Sequence, residues 1–168
     1  MVPMSRTIRA ATHADLPDIV RIYNEAGVAT TATYDLEPVT LEERTQWFER
    51  LRSRGFPVLV MVDDEEVAGF ASYGPFRDKT GYAHTVEHSL YVADGKRSSG
   101  IGRMLLGALM DYAHGRGIHV MVGVLDAGNE ASRAFHTRLG FTESAVLQEV
   151  GCKFGRWLDV IFVTYRFD

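Results

Sequence analysis

Between Arg97 and Arg103 the chain reads Arg-Ser-Ser-Gly-Ile-Gly-Arg, directly after an apolar, strand-like run and directly before a helix-like one. Gly100 and Gly102 lack side chains, so backbone N–H groups there can approach an anion closely, and the positive end of the following helix dipole adds to the attraction. That chemistry is phosphate binding; tight packing of a strand-to-helix turn is the other use of such glycines, and the residues around them must decide. Upstream, Glu87 places a carboxylate inside the run His84–Val92. A charge in such a stretch is unusual, and a carboxylate partly withdrawn from water is suited to accept a proton from an ammonium group. In a strand Glu87 shares a face with Thr85, Ser89 and Tyr91, while Val86, His88, Leu90 and Val92 face the other way. Arg77, next to Phe76 in the preceding loop, can hold a carboxylate through two parallel hydrogen bonds.

Other chemistries fit less well. A P-loop needs Gly-Lys-Ser/Thr at the helix start, where this chain has Gly102-Arg103-Met104. A dinucleotide-binding turn would find a ribose-binding acid in Asp126, but it lacks its third glycine, since position 105 is Leu. His84 and His88 are roughly 13 Å apart on a strand, too far to share a metal ion, so no metal is expected. Cys152, the one cysteine, has no base beside it in sequence and is expected to pack rather than to carry an acyl group.

Periodicity supplies the elements that must position these groups. A short extended segment over Thr7–Ala11 precedes a helix through Leu16, Ile19, Val20, Tyr23 and Ala26, with Asp15 as cap and Gly27 as stop. Thr40 and Glu43 form a capping box for a second helix that closes at Gly55. The β-rich runs Val58–Val62 and Val67–Tyr73, joined through Asp63-Asp64-Glu65-Glu66, suggest an antiparallel hairpin or meander, and His84–Val92 adds a third strand. After the glycine segment come a helix to about His114, a strand Val120–Leu125, a helix Asn129–Leu139 and late strands near Phe141 and over Leu158–Phe167. Antiparallel strands first and β-α-β units later make a mixed α/β class around one sheet.

Composition agrees with one domain, placed at 5–168. The chain has 168 residues, 46% apolar and 24% charged, with 18 basic against 22 acidic side chains and a formal charge of −4. The apolar runs Phe56–Val62 and Met104–Met110 fall far short of the ~20 residues of a membrane span. The mildly acidic balance argues against nucleic acid as a partner. No signal-peptide pattern opens the chain, which makes the cytoplasm the expected address and Met4 an alternative start to Met1.

The pattern Arg-x-x-Gly-x-Gly from Arg97 resembles the pyrophosphate-binding motif of the GNAT superfamily of N-acyltransferases. Asn129-x-x-Ser132, in a helix ending Leu139-Gly140-Phe141, resembles its second signature. Thr85-Val86-Glu87-His88-Ser89, Phe76-Arg77, Phe70-Ala71-Ser72-Tyr73-Gly74 and Lys153-Phe154-Gly155-Arg156-Trp157-Leu158-Asp159 together look like the phosphinothricin acetyltransferase branch, especially its methionine sulfone and methionine sulfoximine N-acetyltransferases.

The resemblance implies a single-domain GNAT fold, a mixed central sheet splayed between two parallel strands and flanked by helices, usually a homodimer. It implies acetyl-CoA as acetyl donor, held by Leu90 and Val92, by Arg97, Ser98, Ser99, Gly100, Ile101, Gly102 and Arg103, and by Asn129 and Ser132. Glu87 falls on the family's catalytic carboxylate, and His136 stands where many relatives place a Tyr donor near the sulfur. A backbone N–H near Leu90 to Val92 would meet the oxyanion. Phe76, Arg77, Thr85 and Glu87 face the acceptor, and Trp157 is expected in the core or at an interface. The family usually has Pro near position 94 and Gly or a basic residue at 98 and 99, so Asp94, Ser98 and Ser99 bear on CoA affinity. The expected function is acetyl transfer to the α-amine of a small amino-acid analogue. A non-catalytic acyl-CoA sensor and an acetyltransferase acting on a protein or other amine are the alternatives.

Overall fold

The computed structural model describes residues 5–168; the choice between Met1 and Met4 as start lies outside them. Seven strands form one sheet: β1 (Arg6–Ala10), β2 (Val58–Asp63), β3 (Glu66–Pro75), β4 (Thr85–Val92), β5 (Val120–Asp126), β6 (Thr142–Lys153) and β7 (Arg156–Arg166), in the order β1-β2-β3-β4-β5-β7-β6. The helices are α1 (Leu16–Ile22), α2 (Leu41–Ser53), α3 (Ile101–Gly115) and α4 (Glu130–Arg138).

Alternation along β2 and β3 sends Met61, Ala71 and Tyr73 to one face and Val58, Val60 and Phe70 to the other. On the first face α3 packs Leu105, Leu106, Leu109 and Ala113. On the second, α1 and α2 pack Ile19, Ile22 and Phe48. Each of the fully buried leucines of α3 would cost about 2–5 kcal/mol to truncate to Ala, which holds the start of that helix firmly against the sheet.

The sheet is continuous except at its one parallel junction. β4 pairs with β5 only over Thr85–Glu87 against Val120–Val122. Beyond these residues β4 stays paired with β3 up to Val92, and β5 stays paired with β7 up to Asp126. Each half of the sheet therefore keeps its own antiparallel partner and a gap opens between them.

Several local details differ from expectation. Asp15 stands at the N-cap position of α1, but its side chain makes no capping bond there: it accepts from the Thr12 N–H at 2.7 Å and binds Arg9. α1 does not run as one regular helix to Ala26, because it widens into a π-helical segment over Tyr23–Val28. The strand near Phe141 is the long edge strand β6, whose outward face is so exposed that its pattern gives little alternation. On that hairpin Gly151 and Lys153 take the buried positions, so Cys152 is exposed rather than packed; Leu158 turns inward, and Trp157 is 67% exposed, which removes the core from its two expected places and leaves the interface.

Candidate active site

The gap between β4 and β5 is a cavity of about 370 Å³. Its walls come from Glu87–Tyr91 of β4, Val124–Asp126 of β5, Thr31–Tyr34 of the α1–α2 connection, and Asn129, Ser132, Phe135 and His136 of α4 with its cap. Glu87 stands where the two strands part. Glu87 is exposed at the cavity, less withdrawn from water than its place in an apolar run suggests. Desolvation by the protein packed beside it still pushes its carboxyl above the ordinary glutamate value, and the charge of Arg77 partly offsets the rise.

At the start of α3 the backbone turns through three left-handed positions, Gly95, Ser98 and Gly100, the last with φ +86°. No side chain caps this helix, and a Cβ built on Gly100 would meet nothing within 4 Å. The first-turn N–H groups of Ile101, Gly102 and Arg103 have no intrahelical acceptor. This backbone fits a phosphate group. Arg97 makes only an exposed contact of 3.6 Å with Asp94, which leaves its guanidinium available to an anion, whereas Lys96 is drawn back to Asp63 at 3.1 Å.

Asn129 caps α4, its Oδ1 accepting from the Ser132 N–H at 3.1 Å. One turn on, His136 is buried, its Nδ1 2.7 Å from the Ser132 carbonyl and its Nε2 3.0 Å from Nε2 of His88. Both ring nitrogens are thus engaged, which leaves His136 no free lone pair for the cavity it lines. Burial pulls both imidazoles below the ordinary histidine value, His88 to about 3, with the charge of His136 adding to the effect on His88.

Of the residues singled out in the sequence, Glu87, Leu90, Asn129, Ser132 and His136 line the cavity. The segment 97–103 lies at the start of α3, and Val92 packs against the α3 side of the core. Thr85, Phe76 and Arg77 are outside the lining: Thr85 O accepts from the Phe76 N–H, and the exposed Arg77 guanidinium lies 5.4 Å from the Phe76 ring.

Sequence reasoning missed the wall formed by Thr31–Tyr34. Thr31 donates from its hydroxyl to Asp126, and Lys153, 3% exposed, donates to the Thr33 carbonyl at 2.8 Å. The ring of Tyr34 covers Gly151 so closely that a Cβ there would fall 2.3 Å from it. These contacts join positions far apart in the chain, and the only local signal was a polar stretch. The His88–His136 contact was missed for the same reason.

Residues 17–141 match the model of the Acetyltransferase (GNAT) family. The chain is 48% identical over 166 residues to the L-methionine sulfoximine/L-methionine sulfone acetyltransferase of Pseudomonas aeruginosa, covering 98% of this chain and 96% of that protein. Among solved structures it is similar to yncA of Salmonella typhimurium with its cofactor acetyl-CoA, at TM-score 0.94 and 42% identity over 98% of this chain and 95% of that one. It is also similar to the phosphinothricin acetyltransferase of Sinorhizobium meliloti in complex with acetyl-CoA, at TM-score 0.93 and 34% identity over 98% and 89% of the two chains.

Proposed function

The chain belongs to the GNAT family of acetyltransferases, and we propose that it transfers the acetyl group of acetyl-CoA directly to the α-amine of a small amino-acid analogue of the methionine sulfone, methionine sulfoximine or phosphinothricin type. The observation that carries this reading is the carboxylate of Glu87, open to the cavity at the parting of two parallel strands whose gap lies next to an uncapped helix start. The substrate names attached to the relatives at 48% and 34% identity support the acceptor class.

Acetyl-CoA brings an acetyl thioester whose carbonyl carbon is open to attack by a neutral amine. In this reading Arg97, Ser98, Ser99, Gly100, Ile101, Gly102 and Arg103 hold its pyrophosphate, and Leu90, Val92, Asn129 and Ser132 hold the arm that leads to the thioester. Glu87 takes the proton that the acceptor's ammonium must lose, directly or through water. Phe76, Arg77 and Thr85 lie on the acceptor side, with Arg77 paired to the acceptor's carboxylate. In this reading His136 is the second catalytic residue; with both ring nitrogens hydrogen-bonded it acts by shaping the cavity wall rather than by carrying a proton.

The reading extends to one domain over 5–168, to the cytoplasm and to a homodimer. For the dimer, the edge strand β6 and its hairpin expose Val146, Leu147, Val150, Phe154 and Trp157, an apolar set that a second copy would cover. Light scattering of the wild type and of Val150→Lys tests that part.

The central test is thiol release from acetyl-CoA with methionine sulfone, methionine sulfoximine, phosphinothricin, methionine and a lysine peptide. Turnover with the first three supports the reading. Acetyl-CoA binding without turnover on any amine makes the chain a sensor, and preference for the peptide makes it a protein acetyltransferase.

A further inference from the structure

His88 stands one residue after Glu87 on the opposite face of β4, and its ring lies across Gly123, the residue after the last β4–β5 pair. A Cβ on Gly123 would fall 2.6 Å from His88 Cε1, so the glycine makes room for this imidazole. His88 Nδ1 lies 3.1 Å from the Val122 carbonyl and its Nε2 3.0 Å from Nε2 of His136, whose Nδ1 lies 2.7 Å from the Ser132 carbonyl.

Carbonyl oxygens only accept, so both Nδ1 atoms are placed to donate, and the facing Nε2 atoms need one proton between them. Three hydrogen-bond positions therefore call for protons, and two neutral imidazoles bring two. The longer carbonyl contact gives way. His136 keeps its Nδ1–H on Ser132, its Nε2 lone pair accepts from His88 Nε2–H, and His88 Nδ1 faces Val122 without a proton. A third proton fills the last position and leaves the pair with one positive charge; a fourth would set two N–H groups face to face.

The surroundings oppose that charge. The rings of Phe135 and Phe141 pack on the pair, and the Val163 side chain lies beside Gly123. Across the cavity the charged or titratable groups are Glu87, Asp126, Tyr34 and Tyr91, and Glu87 points to the other face of β4. The neutral pair is thus the resting form near neutral pH.

We propose that His88 is a positioning residue for the acetyl transfer: its Nε2–H locks the His136 ring in a single tautomer and orientation against the cavity, and the two imidazoles take up protons as one unit. The effect on rate rests on the acetyl-transfer reading above; the shared hydrogen bond does not.

Long-range proton–nitrogen spectra of the wild type carrying labelled histidine test the bond. Near neutral pH the expected result is His136 as the Nδ1–H tautomer and His88 as the Nε2–H tautomer, with both rings changing together on acidification as one proton enters. His136 in the Nε2–H tautomer, or two independent titrations, overturns the proposal. Kinetics test the role. His88→Leu fills the space without a donor, whereas His88→Gln places an amide N–H near the lost Nε2–H. The expected loss of kcat for Leu is about tenfold, the worth of one ordinary hydrogen bond, with little change in the KM for acetyl-CoA, and Gln restores most of it. Equal losses in both variants, or none in Leu, overturn the positioning role. If neither variant folds, the wild-type spectra still decide the bond. Locked spectra in a protein that acetylates no amine overturn the effect on rate together with the reading it rests on, and support the pairing.

Discussion

The Arg6 guanidinium, on strand β1, donates from Nη1 to the carbonyl of Ser99 at 2.8 Å, across 93 residues of chain. Its Nε donates to one oxygen of Asp63 at 3.2 Å, and Lys96 donates to the other at 3.1 Å. Asp63 is 1% exposed, so one buried carboxylate ties the glycine segment to the sheet at two points. Arg6→Gln should loosen that segment and weaken acetyl-CoA binding by about three- to tenfold, the scale of one or two hydrogen bonds, with kcat at saturation little changed. Calorimetry of acetyl-CoA binding checks it, and an unaltered affinity would show that the turn holds its shape unaided. Lys96 first, then Arg6, holds the Asp63 carboxyl below the usual aspartate range. The tie is therefore present above that range and is lost only as pH falls through the depressed value.

Gly102 allows a cleaner test of the phosphate assignment than Gly100, whose positive φ strains any side chain. A Cβ on Gly102 would lie 3.5 Å from Phe135 Cζ and 3.6 Å from Leu90 Cδ2, ordinary contacts with two residues of the cavity wall. Gly102→Ala should fold with little change in Tm. Gly102→Val, with more bulk at the place where backbone and anion must meet, should lower acetyl-CoA affinity by about tenfold or more. Unchanged affinity in a folded Val variant would remove the cradle from the site.

Glu87 yields a rate and a pH prediction together. Glu87→Gln should lower kcat by ~10²–10⁴-fold with acetyl-CoA affinity nearly intact. Because desolvation by the neighbouring protein raises its carboxyl, kcat/KM in the wild type should fall on the acid side at a pH above the ordinary glutamate value. Arg77 pulls that value down, so Arg77→Ala should move the acid limb to higher pH; a limb that stays in place, or moves to lower pH, would separate Arg77 from Glu87. A raised carboxyl also means that stability is lost as pH rises through the folded value, so Glu87→Gln should raise Tm at neutral pH. Cys152→Ala, on the exposed strand β6, should leave the rate alone, and a loss of activity in that variant would reopen a covalent route.

How much of this was legible follows from range along the chain. The Thr40–Glu43 capping box and the turn at Gly100 are local events, dictated by a few neighbouring residues, and the sequence displays them directly. Glu87 was legible because period-2 alternation separates it from Val86 and His88. The bond between His88 and His136 joins residues 48 apart, and the Lys153 contact to Thr33 joins residues 120 apart, so neither leaves a local pattern. Cys152 misled because residue type suggested burial, while position on an edge hairpin decided exposure; the same hairpin takes Trp157 out of the core, the other of its two expected places being an interface.

The acceptor prediction follows from the two charges that a free amino acid carries. Its ammonium must lose a proton to Glu87, and its carboxylate, on leaving water, needs a fixed cation. Arg77 is the cation whose charge reaches Glu87, and it is exposed, so it can close on an acceptor without first breaking a buried pair. Methionine sulfone should therefore react with a higher kcat/KM than its carboxyl-amidated form or a lysine peptide. The polar oxidised side chain, which can find hydrogen bonds that a thioether cannot, should place it ahead of methionine as well. Cutting a desolvated charge pair costs about 2–5 kcal/mol, so Arg77→Ala should lower kcat/KM for the free acid by roughly 30-fold or more, with the lower end applying where water still reaches the pair. The amidated form should lose little in the same variant, since it has no carboxylate to pair. If the amide and the free acid react equally in wild type, Arg77 does not read the carboxylate; if the peptide is preferred, acetylation of proteins takes the place of the amino-acid reading.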